Sequence, residues 1–150
     1  MRTVAMTEEY AVQIANWDYE YPYEFYNMEG SEEAVQELLA GSYQAVVAGE
    51  DVIGYFCTGK AAQVPAGQLA GIYDEPGIDI GVGMRPDLTG QKRGRPFFSF
   101  VLDHIDQGGL DLRLTVAAFN RRAIHLYEVF DFRIVNSFLR GNTEFYVMKR

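Results

Sequence analysis

Apolar and polar positions alternate through Ile78, Ile80, Val82 and Met84, with Asp79, Gly81, Gly83 and Arg85 between them, until Pro86 ends the run. Such alternation predicts a strand. A polar, glycine-containing turn follows, and then Phe97, Phe98, Val101, Leu102 and Ile105 recur at helical spacing. Strand, tight turn and helix start together form an anion site, because the first N–H groups of a helix have no intrahelical acceptor. The remaining pattern is arranged around this unit. Residues 2–6 predict a short strand, Thr7 caps a helix carrying Tyr10, Ile14 and Trp17, and Ser31 caps a second that Gly41 ends. Tyr43–Val47 and Val52–Thr58 predict a hairpin. Residues 60–76, rich in Ala and Gly and punctuated by Pro65 and Pro76, predict a long lid or binding loop. Residues 110–119 predict a strand parallel to the first, since a helix lies between them. Asn120 caps a helix ending near Phe130, and residues 132–139 and 143–149 close the chain as an antiparallel hairpin. The expected architecture is α/β, a mixed sheet with helices on both faces, in one domain over residues 1–150.

Charge changes that picture in two places. The net charge is -8, which argues against nucleic acid or an anionic membrane as partner and is compatible with a cationic or amine-bearing one. Against that background Arg85, Lys92, Arg93 and Arg95, four of the 13 basic residues, crowd the turn and imply a polyanionic ligand there. In Trp17–Met28, Trp17, Tyr19, Tyr21, Tyr23 and Phe25 alternate with Asp18, Glu20, Pro22 and Glu24. Pro22 argues against a central strand, so an aromatic loop is expected. It reads either as a lid packed on the core or as the wall of an acceptor pocket. In the second case Asp18 and Glu24 would select a cation, and Tyr21 and Tyr23 would pack on its carbon frame. The single cysteine, Cys57, excludes an intrachain disulfide and is expected as a small buried hydrophobe. With no secretory signal or spanning apolar run, the expected compartment is the cytoplasm.

Common nucleotide motifs fail on inspection. Gly81-Val82-Gly83 could seed GxGxxG, but Pro86 stands at the sixth position, and GxxxxGK[ST] does not occur. His104 and His125 stand apart from any other metal-ligating cluster, so no metal is expected. What remains is Thr89-Gly90-Gln91-Lys92-Arg93-Gly94 after a strand and a proline, followed by LTVAAFNRRAIHLYEVFDF from Leu114 to Phe132. Over essentially the whole chain this resembles the GNAT acetyltransferase superfamily. The first stretch matches [Q/R]-x-x-G-x-[G/A], with Thr89 and Lys92 departing. The second matches strand–Asn–x–x–A–I–x–L–Y–E–x–x–G–F, with Asp131 in place of the glycine.

The resemblance implies a mostly antiparallel mixed sheet with a splayed parallel central pair, and acetyl-CoA as cosubstrate between the strands ending near Met84 and Ala118. Backbone at Val82, Gly83 and Met84 would bind the pantetheine arm, and Gln91, Lys92, Arg93, Gly94 and Arg95 the pyrophosphate. Asn120 would contact the arm, and Tyr127 would lie near the sulfur and protonate the departing thiolate. Pro96 disfavours helical geometry at Arg95, so the helix is expected to start at Pro96. An alkyl ammonium must lose a proton before it attacks; Asp79 is the candidate base, with Asp74 and Glu75 as alternatives. The implied activity is acetyl transfer to a primary amine, on a small molecule or a protein, by direct attack in a ternary complex; a homodimer is compatible with it. The other reading is a CoA-binding module with little or no catalysis.

Overall fold

A computed structural model describes residues 1–105 and 108–150. Two units divide the chain, Met1–Cys57 with Val82–Asp103, and Thr58–Gly81 with His104–Arg150. The first unit begins with β1 (Arg2–Ala5) and α1 (Glu8–Ala15). Thr7 is extended and its hydroxyl accepts the Tyr10 N–H at 3.2 Å, while Glu8 and Glu9 lie at the positive end of the helix. Ser31 caps α2 (Glu32–Leu39) in the same way, accepting from the Ala34 N–H at 3.2 Å. Between these helices residues 17–28 form a loop with a single 3-10 turn, Tyr23–Tyr26. The expected hairpin is β2 (Tyr43–Ala48) and β3 (Asp51–Thr58), antiparallel to each other, with β1 antiparallel to β2. Ala11, Ile14 and Leu38 from the helices pack on Ala45, Val47 and Val52 from the strands, all fully buried. Burying a side chain the size of Ile14 or Leu38 contributes ~1.5–3 kcal/mol. Cys57 is buried, as expected of a small apolar residue.

In the second unit the stretch expected as a long lid or binding loop holds a 3-10 turn, Gly59–Ala62, and a short helix, α3 (Pro65–Leu69). Pro65 supplies the start, since its missing N–H would have had no intrahelical acceptor. Gly67 in this helix is a packing residue: a Cβ there would stand 2.9 Å from the Tyr73 ring and 3.0 Å from that of Phe138.

Next comes β4 (Ile78–Met84), whose first residues belong to the second unit and whose last three belong to the first. A 3-10 turn, Pro86–Leu88, and the basic turn lead into α4 (Gly94–Asp103). That start corrects the expectation drawn from Pro96. The helix begins two residues earlier, and Pro96 lies in its first turn, where the absent N–H costs no hydrogen bond. The helix also stops at Asp103, short of Ile105.

The remaining elements are β5 (Leu112–Ala117), α5 (Arg121–Val129), β6 (Arg133–Arg140) and β7 (Thr143–Lys149). Among the described residues the strands make a seven-stranded sheet in the order β1-β2-β3-β4-β5-β7-β6. Strands β4 and β5 run parallel, paired through Ile78↔Leu112, Asp79↔Arg113 and Ile80↔Leu114. The parallel ladder ends there, while β5 goes on pairing with β7 to Ala117↔Phe145. Ala117, Phe138, Phe145 and Val147 form a second buried cluster, closed by Val64, Ala66 and Ile72.

Candidate active site

The basic turn takes its shape from an unusual backbone. Lys92 has φ 60, in the left-handed region, and Gly90 has φ 72. A left-handed residue at position 92 is what a glycine would adopt freely, and a lysine adopts it at some cost. The Phe97 N–H then donates to the Arg93 carbonyl at 3.2 Å, which closes the first turn of α4. Helix geometry leaves the N–H groups of Gly94 and Arg95 without intrahelical acceptors. Lys92, Arg93 and Arg95 are exposed, and no ion pair engages them among the described residues. Arg85 is different. Its Nε donates to Asp87 Oδ1 at 2.7 Å and its Nη2 to Oδ2 at 3.2 Å. That guanidinium holds the Asp87 carboxyl below the usual carboxylate range. Gln91 is exposed and folds back along the turn, its Nε2 donating to the Asp87 carbonyl at 2.6 Å. Of the basic cluster, Lys92, Arg93 and Arg95 therefore remain as the cations presented to an anion.

The end of β4, Val82 to Met84, is half-buried, and two tyrosines not singled out from the sequence attach to it. A Cβ on Gly83 would fall within the Tyr55 ring, so this glycine makes room for a side chain of its own protein. The Tyr55 phenol is pushed well above its ordinary pKa, by burial first and then by the nearby Tyr19 and Tyr43 phenols. The Tyr19 hydroxyl donates to the Met84 carbonyl at 2.6 Å. Tyr19 belongs to the acidic aromatic loop. In that loop Asp18 Oδ1 accepts from Asn27 Nδ2 at 2.9 Å, Tyr23 is half-buried, and Glu24 and Tyr21 are exposed, Tyr21 at 86%. One edge of the loop packs on the core through Trp17 and Met28, while its Tyr21 and Glu24 face solvent.

Asp79, Asn120 and Tyr127 lie in the second unit. Asp79 is 3% exposed. Its Oδ1 accepts from Arg113 Nε at 2.6 Å, and its Oδ2 from Arg113 Nη2 at 2.9 Å and Gln63 Nε2 at 2.8 Å. Arg113 also donates to the Glu75 carbonyl at 2.9 Å and lies 5.3 Å from the centroid of the Tyr73 ring. The hydrogen bond to Asp79, more than any other cause, raises the Arg113 pKa. Both oxygens of Asp79, the candidate base, are thus engaged in a buried charge pair with Arg113. Strand alternation could not show this, because Arg113 is the neighbour only through the parallel register. Of the alternatives, Asp74 is exposed, and Glu75 is exposed and pairs with Lys149 at 3.1 Å.

Asn120 caps α5, its Oδ1 accepting from the Ala123 N–H at 3.1 Å. Tyr127 is set by the other end of that helix. The Phe132 N–H donates to the Tyr127 carbonyl at 3.1 Å and the Asp131 N–H to the Glu128 carbonyl at 3.0 Å, around Asp131 at φ 72. These two bonds make a Schellman motif, with its customary apolar contact between the Tyr127 and Phe132 rings, 6.3 Å apart edge to face. The motif fixes Tyr127 in a buried position.

Comparison with known proteins follows the same elements. The model of the acetyltransferase (GNAT) family matches residues 11–132. No curated protein sequence matches the chain. Among solved structures, the aminoglycoside acetyltransferase AAC(6')-Ib in complex with coenzyme A superposes with a TM-score of 0.72 at 14% identity, covering 99% of this chain and 92% of that one. A spermidine N-acetyltransferase chimera, SpeG from Vibrio cholerae joined to hSSAT, gives 0.66 at 18% identity over 99% and 94%. The yncA protein of Salmonella typhimurium, with its cofactor acetyl-CoA, gives 0.66 at 14% over 99% and 92%. Among the described residues no helix is long and apolar enough to cross a membrane.

Proposed function

The chain belongs to the acetyltransferase (GNAT) family, and we propose that it moves an acetyl group from acetyl-CoA to a primary amine by direct attack, with donor and acceptor bound together. The observation that carries this is the turn before α4, where left-handed Lys92 leads into a helix start flanked by three cations outside any ion pair among the described residues. That donor set fits a diphosphate: charge from Lys92, Arg93 and Arg95, and outward N–H groups at Gly94 and Arg95. Acetyl-CoA would supply an acyl group already activated as a thioester. Backbone at Val82, Gly83 and Met84 and the side chain of Asn120 are the proposed contacts of its pantetheine arm.

Tyr127 is the proposed acid, giving its phenolic proton to the departing thiolate. The acceptor ammonium first loses a proton to solvent or an exposed carboxylate, here Asp74 or Glu75; the free amine then attacks the thioester carbonyl, the C–S bond breaks as the thiolate leaves, and Tyr127 recovers its proton from the attacking nitrogen by way of solvent. The acceptor we propose is a cationic amine of more than one positive charge. The exposed carboxylates of residues 18–24 support it, as does the likeness to aminoglycoside and spermidine acetyltransferases.

Thiol release from acetyl-CoA in the presence of spermidine, kanamycin and a lysine peptide tests the proposal. Release with spermidine or kanamycin is expected. Tyr127→Phe should then lower kcat by about 10²-fold, the lower range for one positioned acid, with melting temperature and CoA affinity nearly unchanged because the ring packing on Phe132 survives. Thermal stabilisation by acetyl-CoA with no thiol release from any amine would overturn the enzyme and leave a binding module.

A further inference from the structure

We infer that Tyr19 is a positioning residue for the acceptor: it latches the acidic aromatic loop, residues 17–28, onto the end of β4 at Met84. The inference rests on the reading of the chain as an amine acetyltransferase. Two sets of bonds meet at Tyr19. Its hydroxyl reaches the Met84 carbonyl at 2.6 Å, across 65 positions of sequence. Its own N–H donates to Asn27 Oδ1 at 2.7 Å, and Asn27 Nδ2 in turn donates to Asp18 Oδ1 at 2.9 Å. Both the closure of the loop on itself and its attachment to the strand therefore pass through one residue. The Tyr26 ring stands edge-on to Tyr19 at 6.5 Å, and Phe25 stands edge-on to Tyr26 at 5.2 Å, so the loop packs as a unit behind the latch.

The carboxylates that would receive a cation ride on this unit. Asp18 is oriented by Asn27, and Glu24 lies in the 3-10 turn. Where they stand relative to β4 depends on the bond from Tyr19 to Met84. A carbonyl oxygen accepts two hydrogen bonds, so the latch leaves one lone pair of Met84 for the arm of the acyl donor. Sharing one carbonyl would place the acceptor loop and the donor in register. One such bond is worth ~0.5–1.5 kcal/mol net, which shifts an opening equilibrium by about three- to tenfold.

Tyr19→Phe removes the hydroxyl and keeps the ring. In hydrogen exchange without any ligand, amides of residues 17–28 should exchange about three- to tenfold faster, while those of β2 and β3 are unchanged. With the amine that turns over fastest among spermidine, kanamycin and the lysine peptide, KM should rise by a similar factor. Both kcat and the Kd for coenzyme A should stay within about twofold. Asn27→Ala, which loosens the loop and leaves the Met84 bond in place, should move exchange and KM in the same direction. Unchanged exchange in Tyr19→Phe overturns the latch, whatever the kinetics show. Faster exchange with an unchanged KM, or a loss of coenzyme A affinity larger than the rise in KM, overturns the role in acceptor placement. Absence of turnover with every amine would defeat the functional reading instead, and the exchange result would still decide the latch.

Discussion

Replacing Asp79 by asparagine separates a structural carboxylate from a catalytic one. The substitution preserves shape and removes one charge from a pair whose side chains are 2% and 4% exposed. In the folded protein Arg113 would keep its bond to the Glu75 carbonyl and its place near the Tyr73 ring, but its charge would lose the carboxylate it pairs with. The introduced amide also cannot reproduce the acceptor pattern. With one oxygen and one NH₂, it must turn a donor toward an Arg113 donor in either orientation, and toward the Gln63 donor as well in one of them. Removing one partner of a buried pair costs ~3–5 kcal/mol. For a chain of this size each kcal/mol moves the melting temperature by about 2–4 °C, so a fall of roughly 6–20 °C is expected.

Urea and thermal melts followed by circular dichroism give the stability, and thiol release at about 10 °C, where hydrophobic domains are near their most stable, gives the activity of folded variant. Stability should drop and kcat per folded molecule should stay within a few-fold of the parent. The double variant Asp79→Leu with Arg113→Met should recover most of the loss, since an apolar pair of similar volume avoids desolvating two charges. A variant Asp79→Asn that melts with the parent but has lost its turnover would refute this reasoning and restore Asp79 as the base.

Two other substitutions test the local geometry. Asp131→Gly places the preferred residue at a left-handed helix end, and should stabilise by about 0.5–1 kcal/mol in a urea melt, because the strain at φ 72 disappears. A loss of stability there would mean that the Asp131 side chain contributes more than its backbone costs. Gly83→Ala puts a methyl group into the Tyr55 ring and should destabilise by about 1–3 kcal/mol. The same change should cost clearly less in a Tyr55→Ala background, and equal costs in both backgrounds would remove the packing explanation.

How much of this could be read from the residues depended on the range of the interaction concerned. Caps at Thr7, Ser31 and Asn120 are local, each side chain bonding an N–H three residues on, and all three were legible. The hairpins followed from alternation and turn residues for the same reason. Two of the three departures from the family pattern, Lys92 and Asp131, are also local. They mark places where the backbone is left-handed although the residue is not glycine, so the turn geometry survives a substitution that its sequence signature does not. What escaped was every partner chosen by the sheet. Gly83 is expected as a backbone contact of the pantetheine arm, and only the neighbouring strand reveals that the Tyr55 ring fills the space beside it. Asp79 reads as an acid at the start of a central strand, and nothing near it in sequence announces Arg113, 34 positions away. Tyr19 was one aromatic among five in an alternating run, and its hydroxyl gains meaning only from Met84. A carboxylate or phenol in such a strand or loop can serve chemistry or hold the fold, and its long-range partner decides which. The Asp79 experiment is therefore the sharper one: it asks whether the pairing, rather than the residue type, assigns the role.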